Sequence, residues 1–291
     1  MPTTLPKSVL NRLLLTTTAV AIVAGLQASP VRATTTASYV AMGDSYTAGP
    51  LIPNQLPDPP GCWRSDRNYP HLVAAARGSA LRDPSCSGAA TEDLKSPQPV
   101  LGGANPPQLD ALDGAVTEIS VQIGGNDIGF AEILGRCTAL LPLGTPCRDW
   151  YTRGGVDELS GRIAATGPKV AAVLAEARRR SPQARLFVVG YPAILPEVHA
   201  GCWPVMPIAP GDVPYVRAKE KELNSMLATQ AAGAGATYVD VYGPSVGHDA
   251  CQLPGVRWVE PLVPLSPAAP VHPNALGMRA TASVVLEAMA R

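Results

Sequence analysis

The chain has 291 residues, of which 46% are hydrophobic, and its 23 basic and 23 acidic residues give a formal charge of zero. No run of like charges interrupts this balance. The net charge of the whole protein therefore predicts no electrostatic attraction to nucleic acid or to an anionic membrane surface. We expect its partners to be neutral molecules or small substrates.

The first 33 residues have the three parts of a secretory signal. Lys7 and Arg12 precede an apolar run at 13–26, and small residues lead to Ala33, where cleavage is predicted. The apolar run is shorter than the roughly 20 residues needed to span a bilayer, so we predict a removable signal rather than a transmembrane anchor. We expect residues 34–291 to form one secreted domain, free or bound to the cell wall, without a permanent membrane anchor.

Six cysteines occur in this exported chain, and an even number in that setting predicts three disulfides. The spacings alone leave the pairing open. No two cysteines have the short spacing of zinc ligands, and no His-Glu-x-x-His motif is present, so we expect no metal and no cofactor. The cysteines are Cys62, Cys86, Cys137, Cys147, Cys202 and Cys251.

The first predicted strand covers Tyr39 to Gly43 and stops at a Gly-Asp-Ser turn. This pattern presents Ser45 at the carboxyl end of a strand, which is where open α/β sheets carry their chemistry. Asp and Ser are also common turn residues, so a plain turn remains an alternative. A proline-rich loop at 50–60 and a short helix at 68–77 follow.

Two later turns combine small residues with polar groups. In the stretch 86–91, Gly88 lets a backbone N–H approach a ligand closely. A strand predicted at 115–123 then ends in a glycine-rich turn that carries Asn126. Each turn is a weak signal when it is taken alone.

Helices and strands alternate in the second half of the chain. The pattern predicts helices at 157–180 and 212–232 and strands at 185–191 and 237–242. Strands that alternate with helices indicate a parallel sheet with crossover connections.

His272 is the candidate base. Pro273 suits the first position of a helix that runs to about Arg291, so we predict His272 as its N-cap, where the positive helix end keeps the imidazole neutral. His248 and His199 are rivals in loops near cysteines, and His71 at the start of a helix is expected to be packed or solvated.

Together, Gly43-Asp44-Ser45, Gly88, Gly125-Asn126-Asp127 and His272-Pro273-Asn274 occur in the order typical of one family. The chain resembles the SGNH or GDSL hydrolases, above all the secreted actinobacterial lipases and esterases. The resemblance implies a flavodoxin-like three-layer α/β/α sandwich with a five-stranded parallel sheet. It also implies sequential disulfides, Cys62 to Cys86, Cys137 to Cys147 and Cys202 to Cys251.

The same resemblance implies a serine esterase or lipase that hydrolyses acyl esters, including those of phospholipids. Ser45 would be the nucleophile, and His272 would be the base. The backbone N–H groups of Ser45 and Gly88 and the amide of Asn126 would form the oxyanion hole. Alternatives are a carbohydrate O-deacetylase and a non-catalytic secreted binding protein. We expect a monomer whose partner is a small-molecule or lipid ester.

One position departs from the family pattern. The family usually has an aspartate three residues before the histidine, and here that residue is Ala269. We predict that the carbonyl of Ala269 orients His272, and the alternative is a distant acid. The acids to exclude are Asp44, Asp240 and Asp249.

The loops near the motifs offer an apolar lining that suits medium or long acyl chains. The alternative is that these side chains simply pack on the core. They are Leu51, Ile52, Leu56, Ile128, Phe130 and residues 139–143.

Overall fold

A computed structural model describes residues 1–3, 37–198 and 200–291. The predicted secretory signal is therefore almost wholly outside the described residues, and so is His199. Thr36–Arg291 form one compact unit. Within the described part of the chain, no helix has both the length and the hydropathy to cross a membrane.

Seven strands and eight helices are present in the described residues. The strands are β1 (Ser38–Gly43), β2 (Ala80–Arg82), β3 (Gln98–Val100), β4 (Gly103–Asn105), β5 (Glu118–Gln122), β6 (Arg185–Val189) and β7 (Thr237–Val239). The helices are α1 (Ser45–Ala48), α2 (Tyr69–Arg77), α3 (Phe130–Cys137), α4 (Pro146–Tyr151), α5 (Glu158–Arg180), α6 (Val213–Gly233), α7 (Tyr242–Ser245) and α8 (Ala275–Ala290).

Five strands form one parallel sheet in the order β2-β1-β5-β6-β7. Along the chain these are the second, first, third, fourth and fifth strands of the sheet, which is the flavodoxin-like order. The predicted fold class is thus confirmed. β3 and β4 form a separate antiparallel hairpin. The order reverses at β1 and β5, so the turns after these two strands lie side by side.

Each face of the sheet is covered by helices, as the alternation of side chains along β1 requires. Val40 and Met42 face a core completed by α5 and α6. Tyr39 and Ala41 face the opposite core, which α2 and α8 complete. Because a parallel sheet is buried on both faces, its strands read as nearly continuous apolar runs, and this is why the sequence pattern located them.

Three disulfides join segments that follow the strands of the parallel sheet. They link Cys62 to Cys86, Cys137 to Cys147 and Cys202 to Cys251, the pairs that the family resemblance implies. None of the cysteines in the described residues is free. The covalent links therefore restrain the long loops that surround the candidate site.

Candidate active site

Ser45 begins α1 immediately after β1. Asp44 is the N-cap of this helix, and its side chain accepts a hydrogen bond from the N–H of Tyr46. Gly43 is required by space, since a Cβ there would clash with Thr47 Oγ1 and lie 2.7 Å from the carbonyl oxygen of Gln122. The close contact between the turn and the end of β5 thus sets where Ser45 is presented.

The hydroxyl of Ser45 lies against the imidazole of His272, with Nε2 and Oγ 2.7 Å apart. The other ring nitrogen, Nδ1, is 2.7 Å from the carbonyl oxygen of Pro270. A carbonyl can only accept, so Nδ1 carries the proton and Nε2 is free to accept one from Ser45. Burial lowers the pKa of His272 from its ordinary value, which favours this neutral form.

The prediction that Ala269 orients His272 is wrong, because the acceptor is Pro270. The carbonyl of Ala269 instead accepts the backbone N–H of His272. Pro270 at the second position and Val271 at φ 58° mark residues 269–272 as a type II turn. The carbonyl of Ala269 closes this turn, so the carbonyl of Pro270 is free to accept from the imidazole.

None of the alternative acids makes a hydrogen bond to His272. Asp44 accepts from Tyr46 and Tyr191, Asp240 accepts from the N–H of Gly243, and Asp249 accepts from Cys251 and Gln252. A carbonyl oxygen, rather than a carboxylate, is therefore the partner of Nδ1.

The other described histidines lie elsewhere. His248 stacks on Trp258, with ring centroids 4.3 Å apart. His71 is in the first turn of α2 and contacts the N-cap residue Asn68. Neither imidazole contacts Ser45, so within the described residues His272 alone is paired with it.

The predicted N-cap of the last helix is also wrong. Asn274 caps α8, accepting from the N–H groups of Leu276 and Gly277. His272 lies two residues earlier, packed against Tyr46 and Phe130 at centroid distances of 5.0 and 5.9 Å. Burial is the main cause of the lowered pKa of His272.

The three predicted oxyanion donors lie in the segments that follow the neighbouring strands β1, β2 and β5. Asn126 comes after β5, and its amide Nδ2 donates to the carbonyl of Ala89, which leaves its second amide hydrogen available. The N–H groups of Ser45 and Gly88 donate to no other group in the described residues. Gly88 has φ 80°, a conformation that glycine adopts without strain.

Hydrogen bonds hold these donor segments together. The N–H and hydroxyl of Thr91 both donate to the carboxylate of Asp127, at 2.9 and 2.6 Å. The N–H of Cys86 donates to the carbonyl of Gly43. The loop that carries Gly88 is thereby tied both to the Asn126 turn and to the end of β1.

Two glutamines that sequence reasoning missed support the same groups. The amide of Gln98 on β3 donates to the carbonyl of Ser87 at 2.9 Å, and this carbonyl shares a peptide unit with the N–H of Gly88. The amide of Gln108 both donates to and accepts from the backbone of Gly43. Their spacing from the motifs gives no sequence signal, because the contacts exist only in the folded chain.

Tyr191, also missed, lies just beyond the end of β6. Its hydroxyl donates to Asp44 at 2.5 Å and accepts from the N–H of Gly125 at 3.0 Å. Burial raises the pKa of Asp44 to about 7. Its position at the carboxyl end of a buried strand was the available signal.

A largely apolar cavity opens beside Ser45. Of the predicted lining, Ile128 and Phe130 border it. Ile52 is buried in the core beneath α2 and α8, whereas Leu51 and the leucines of the 139–143 run are exposed. The remaining apolar wall comes from α3, α6 and the loop after β6, including Ile133, Leu134, Leu195, Met206, Ile208 and Leu223.

A serine hydroxyl bonded to a neutral imidazole at the carboxyl edge of a parallel sheet defines the class of α/β serine hydrolases. The model of the GDSL-like lipase/acylhydrolase family matches residues 41–280. The chain belongs to this family, and it is a carboxylic ester hydrolase.

Relatives support this placement over the whole chain. Lipase 2 of Streptomyces coelicolor is 40% identical over 98% of this chain and 99% of its own length. The crystal structure of phospholipase A1 from Streptomyces albidoflavus is similar with a TM-score of 0.73 and 25% identity, covering 87% of this chain and 99% of that one. The extracellular lipase from Streptomyces rimosus gives a TM-score of 0.66 at 26% identity, covering 88% and 100%.

Proposed function

We propose that this protein is a secreted, monomeric lipase or esterase that hydrolyses esters of medium or long acyl chains. The observation that carries the proposal is the Ser45 to His272 contact of 2.7 Å beside a largely apolar cavity. An apolar wall beside the candidate nucleophile suits a flexible acyl chain. The names of the similar proteins, a lipase and a phospholipase A1, support lipid esters as the substrate class.

In this mechanism, Ser45 Oγ attacks the ester carbonyl while His272 Nε2 takes its proton. The negative charge on the carbonyl oxygen is stabilised by the N–H groups of Ser45 and Gly88 and by the Asn126 amide. Collapse of the intermediate expels the alcohol, which receives the proton from His272 and leaves an acyl-enzyme. Water, activated by the same imidazole, then releases the acid.

Secretion is part of the proposal. The predicted signal at 1–33 and the three disulfides support an oxidising, extracellular setting. The similar lipase from Streptomyces rimosus is itself described as extracellular. N-terminal sequencing of the protein from culture medium should begin at residue 34, and an intact residue 1 there would contradict the signal.

The direct test is Ser45→Ala, assayed on p-nitrophenyl esters of increasing chain length. The variant should keep the fold by circular dichroism and lose hydrolysis, because no other described hydroxyl is paired with His272. Retained activity would overturn the role of Ser45. The parent should prefer medium or long chains, and a preference for acetyl groups on polysaccharide would instead indicate an O-deacetylase.

A further inference from the structure

The loop between Cys137 and Cys147 exposes apolar side chains to an unusual degree. Leu140 is 92% exposed, Leu143 is 69% exposed and Leu141 is 64% exposed. Val205, in the loop after β6, is also half exposed. A cluster of exposed leucines on a folded domain marks an interaction surface. We call residues 138–146 the leucine loop.

The leucine loop is held rigidly at its base. A disulfide closes it, and the N–H of Ala139 donates to the carbonyl of Pro207 at 2.7 Å. The carbonyl of Ala139 accepts from the indole of Trp203 at 3.1 Å. The leucines are therefore presented by a fixed loop, and their exposure does not come from a loose one.

The leucine loop is continuous with the catalytic cavity. It follows α3, whose first residue, Phe130, packs against His272 and whose last, Cys137, lines the cavity. The helix is eight residues long, so the loop begins about 12 Å along the helix axis from Phe130. Met206 and Ile208, in the loop that Ala139 contacts, line the same cavity. An occupant of this surface would thus meet the cavity that is proposed for acyl chains.

Basic and aromatic residues flank the leucines. The guanidinium groups of Arg136 and Arg153 cover both faces of Trp150, each 3.7 Å from the ring centroid. Arg148 is exposed on the same short helix, α4, and Asp149 is the acid beside it. With Glu132 on α3 as the second acid, the three arginines leave a net local charge of about one positive unit. Tryptophan and arginine beside exposed leucines suit a layer where phosphates overlie acyl chains.

We propose that the leucine loop, with the Arg136, Trp150 and Arg153 stack, is a peripheral docking surface for a phospholipid bilayer. The leucines enter the acyl region, and the arginines contact phosphates at the headgroup level. The contact orients the cavity toward its proposed lipid substrate. This inference deepens the proposed function, but its binding step needs no hydrolysis and can be measured separately.

The test is cosedimentation with vesicles of ether-linked phosphatidylcholine, alone or equimolar with ether-linked phosphatidylglycerol. These lipids have no ester for the enzyme to cleave. The triple variant Leu140→Ser, Leu141→Ser and Leu143→Ser should bind both vesicles at least about tenfold more weakly than the parent, because apolar burial drives insertion. A matched control, Leu101→Ser with Leu253→Ser, removes leucines that are equally exposed elsewhere and should bind as the parent does.

The arginines are tested by Arg136→Gln with Arg153→Gln. Binding to vesicles with phosphatidylglycerol should weaken by roughly fivefold per arginine, with a smaller change on phosphatidylcholine alone. All variants should hydrolyse a soluble p-nitrophenyl ester at the parental rate. A parent protein that hydrolyses no ester would contradict the proposed function. The vesicle measurements would still test the docking surface, because binding does not need hydrolysis.

Three results would overturn the proposal: a parent that binds neither vesicle, a serine variant that binds as the parent does, or a dimer of the parent that the serine substitutions dissociate. The last result, from sedimentation velocity, would show that a second copy covers the leucines.

Discussion

His272 is held by a neutral carbonyl, and this choice of partner has chemical consequences. The carbonyl of Pro270 fixes the tautomer and the ring direction as a carboxylate would. It brings no full negative charge to the imidazolium that forms during attack. The imidazolium that forms in the proposed mechanism would therefore lack the ion pair that a triad aspartate provides.

Substitution of the remote acids tests this arrangement. We expect Asp240→Asn and Asp249→Asn to keep kcat within about tenfold of the parent, because neither carboxylate contacts His272. Removal of a true triad aspartate costs roughly 10⁴ in kcat. Steady-state kinetics on a soluble ester, with folding checked by circular dichroism, measures the difference. A loss of that size in either folded variant would restore a carboxylate to the mechanism.

Gln98 supports one of the proposed oxyanion donors through the peptide backbone. Its amide holds the carbonyl of Ser87 and so fixes the plane of the peptide whose N–H belongs to Gly88. Gln98→Met keeps the volume and removes the donor, which should lower kcat about fivefold to tenfold.

KM for a soluble ester should change little, since the lost contact aligns a proposed oxyanion donor, which would act on the transition state. Gln98→Glu is the matched comparison, because it keeps the shape and replaces the donor with an acceptor. An equal rise in KM with unchanged kcat would show that Gln98 acts on substrate binding.

The hydroxyl of Tyr191 connects the segments that follow strands β1, β5 and β6. Tyr191 bonds Asp44 after β1 and the N–H of Gly125 after β5, and it is itself the second residue beyond β6. Its ring also packs against Tyr46, at a centroid distance of 5.1 Å. The geometry of Ser45 thus depends on three strands, although the motif that contains it is local.

Tyr191→Phe removes that hydroxyl and keeps the ring. We expect the free energy of unfolding to fall by about 1–3 kcal/mol, because a buried carboxyl loses its donor and a buried N–H loses its acceptor. Urea denaturation measures the change. The pKa of Asp44, already raised by burial, should rise further without this bond. A variant as stable as the parent would show that Tyr191 contributes through its ring alone.

The sequence pattern located long elements better than short ones. The buried strands β1, β5 and β6 and the helices α5 and α6 carry runs or periodicities long enough to read. β2, with three residues, and α3 and α4, with eight and six, offer too few positions for a pattern. Of these missed elements, β2 forms an edge of the sheet and α3 forms part of the cavity wall.

The residues of the candidate site also differ in how well the sequence predicted them. Ser45, Gly88, Asn126 and His272 stand in motifs, so their proximity followed from strand order. Pro270 differs from the predicted Ala269 by one residue because the direction of a carbonyl depends on a turn, which composition alone does not determine. Gln98 acts across a long stretch of chain and left no local signal, whereas the only signal for Tyr191 was its position just after a buried strand.

For the molecule as a whole, activity and stability should respond oppositely to pH. The pKa of His272 is lowered from 6.5 by burial, so the acid limb of kcat/KM should lie below pH 6.5. Burial raises the pKa of Asp44 from 3.8 to about 7 and that of Glu220 from 4.5 to about 8. Between pH 6.5 and 8 these two groups bind more protons in the native state than in the unfolded state. Stability should therefore fall as the pH rises through this window.

Substitution of Glu220 tests the contribution of one of these two carboxyl groups to the pH dependence of stability. It lines the cavity wall, accepts from the N–H of Ile194 and lies near Asp249, Glu197 and Lys221. Glu220→Gln retains an acceptor for this N–H and cannot ionise. Because ionising Glu220 in its buried position opposes folding, the variant should be more stable than the parent at pH 8. Its thermal midpoint should decline less between pH 6.5 and 8. Differential scanning calorimetry at several pH values gives both slopes, and equal slopes would mean that Glu220 is already ionised in the native protein.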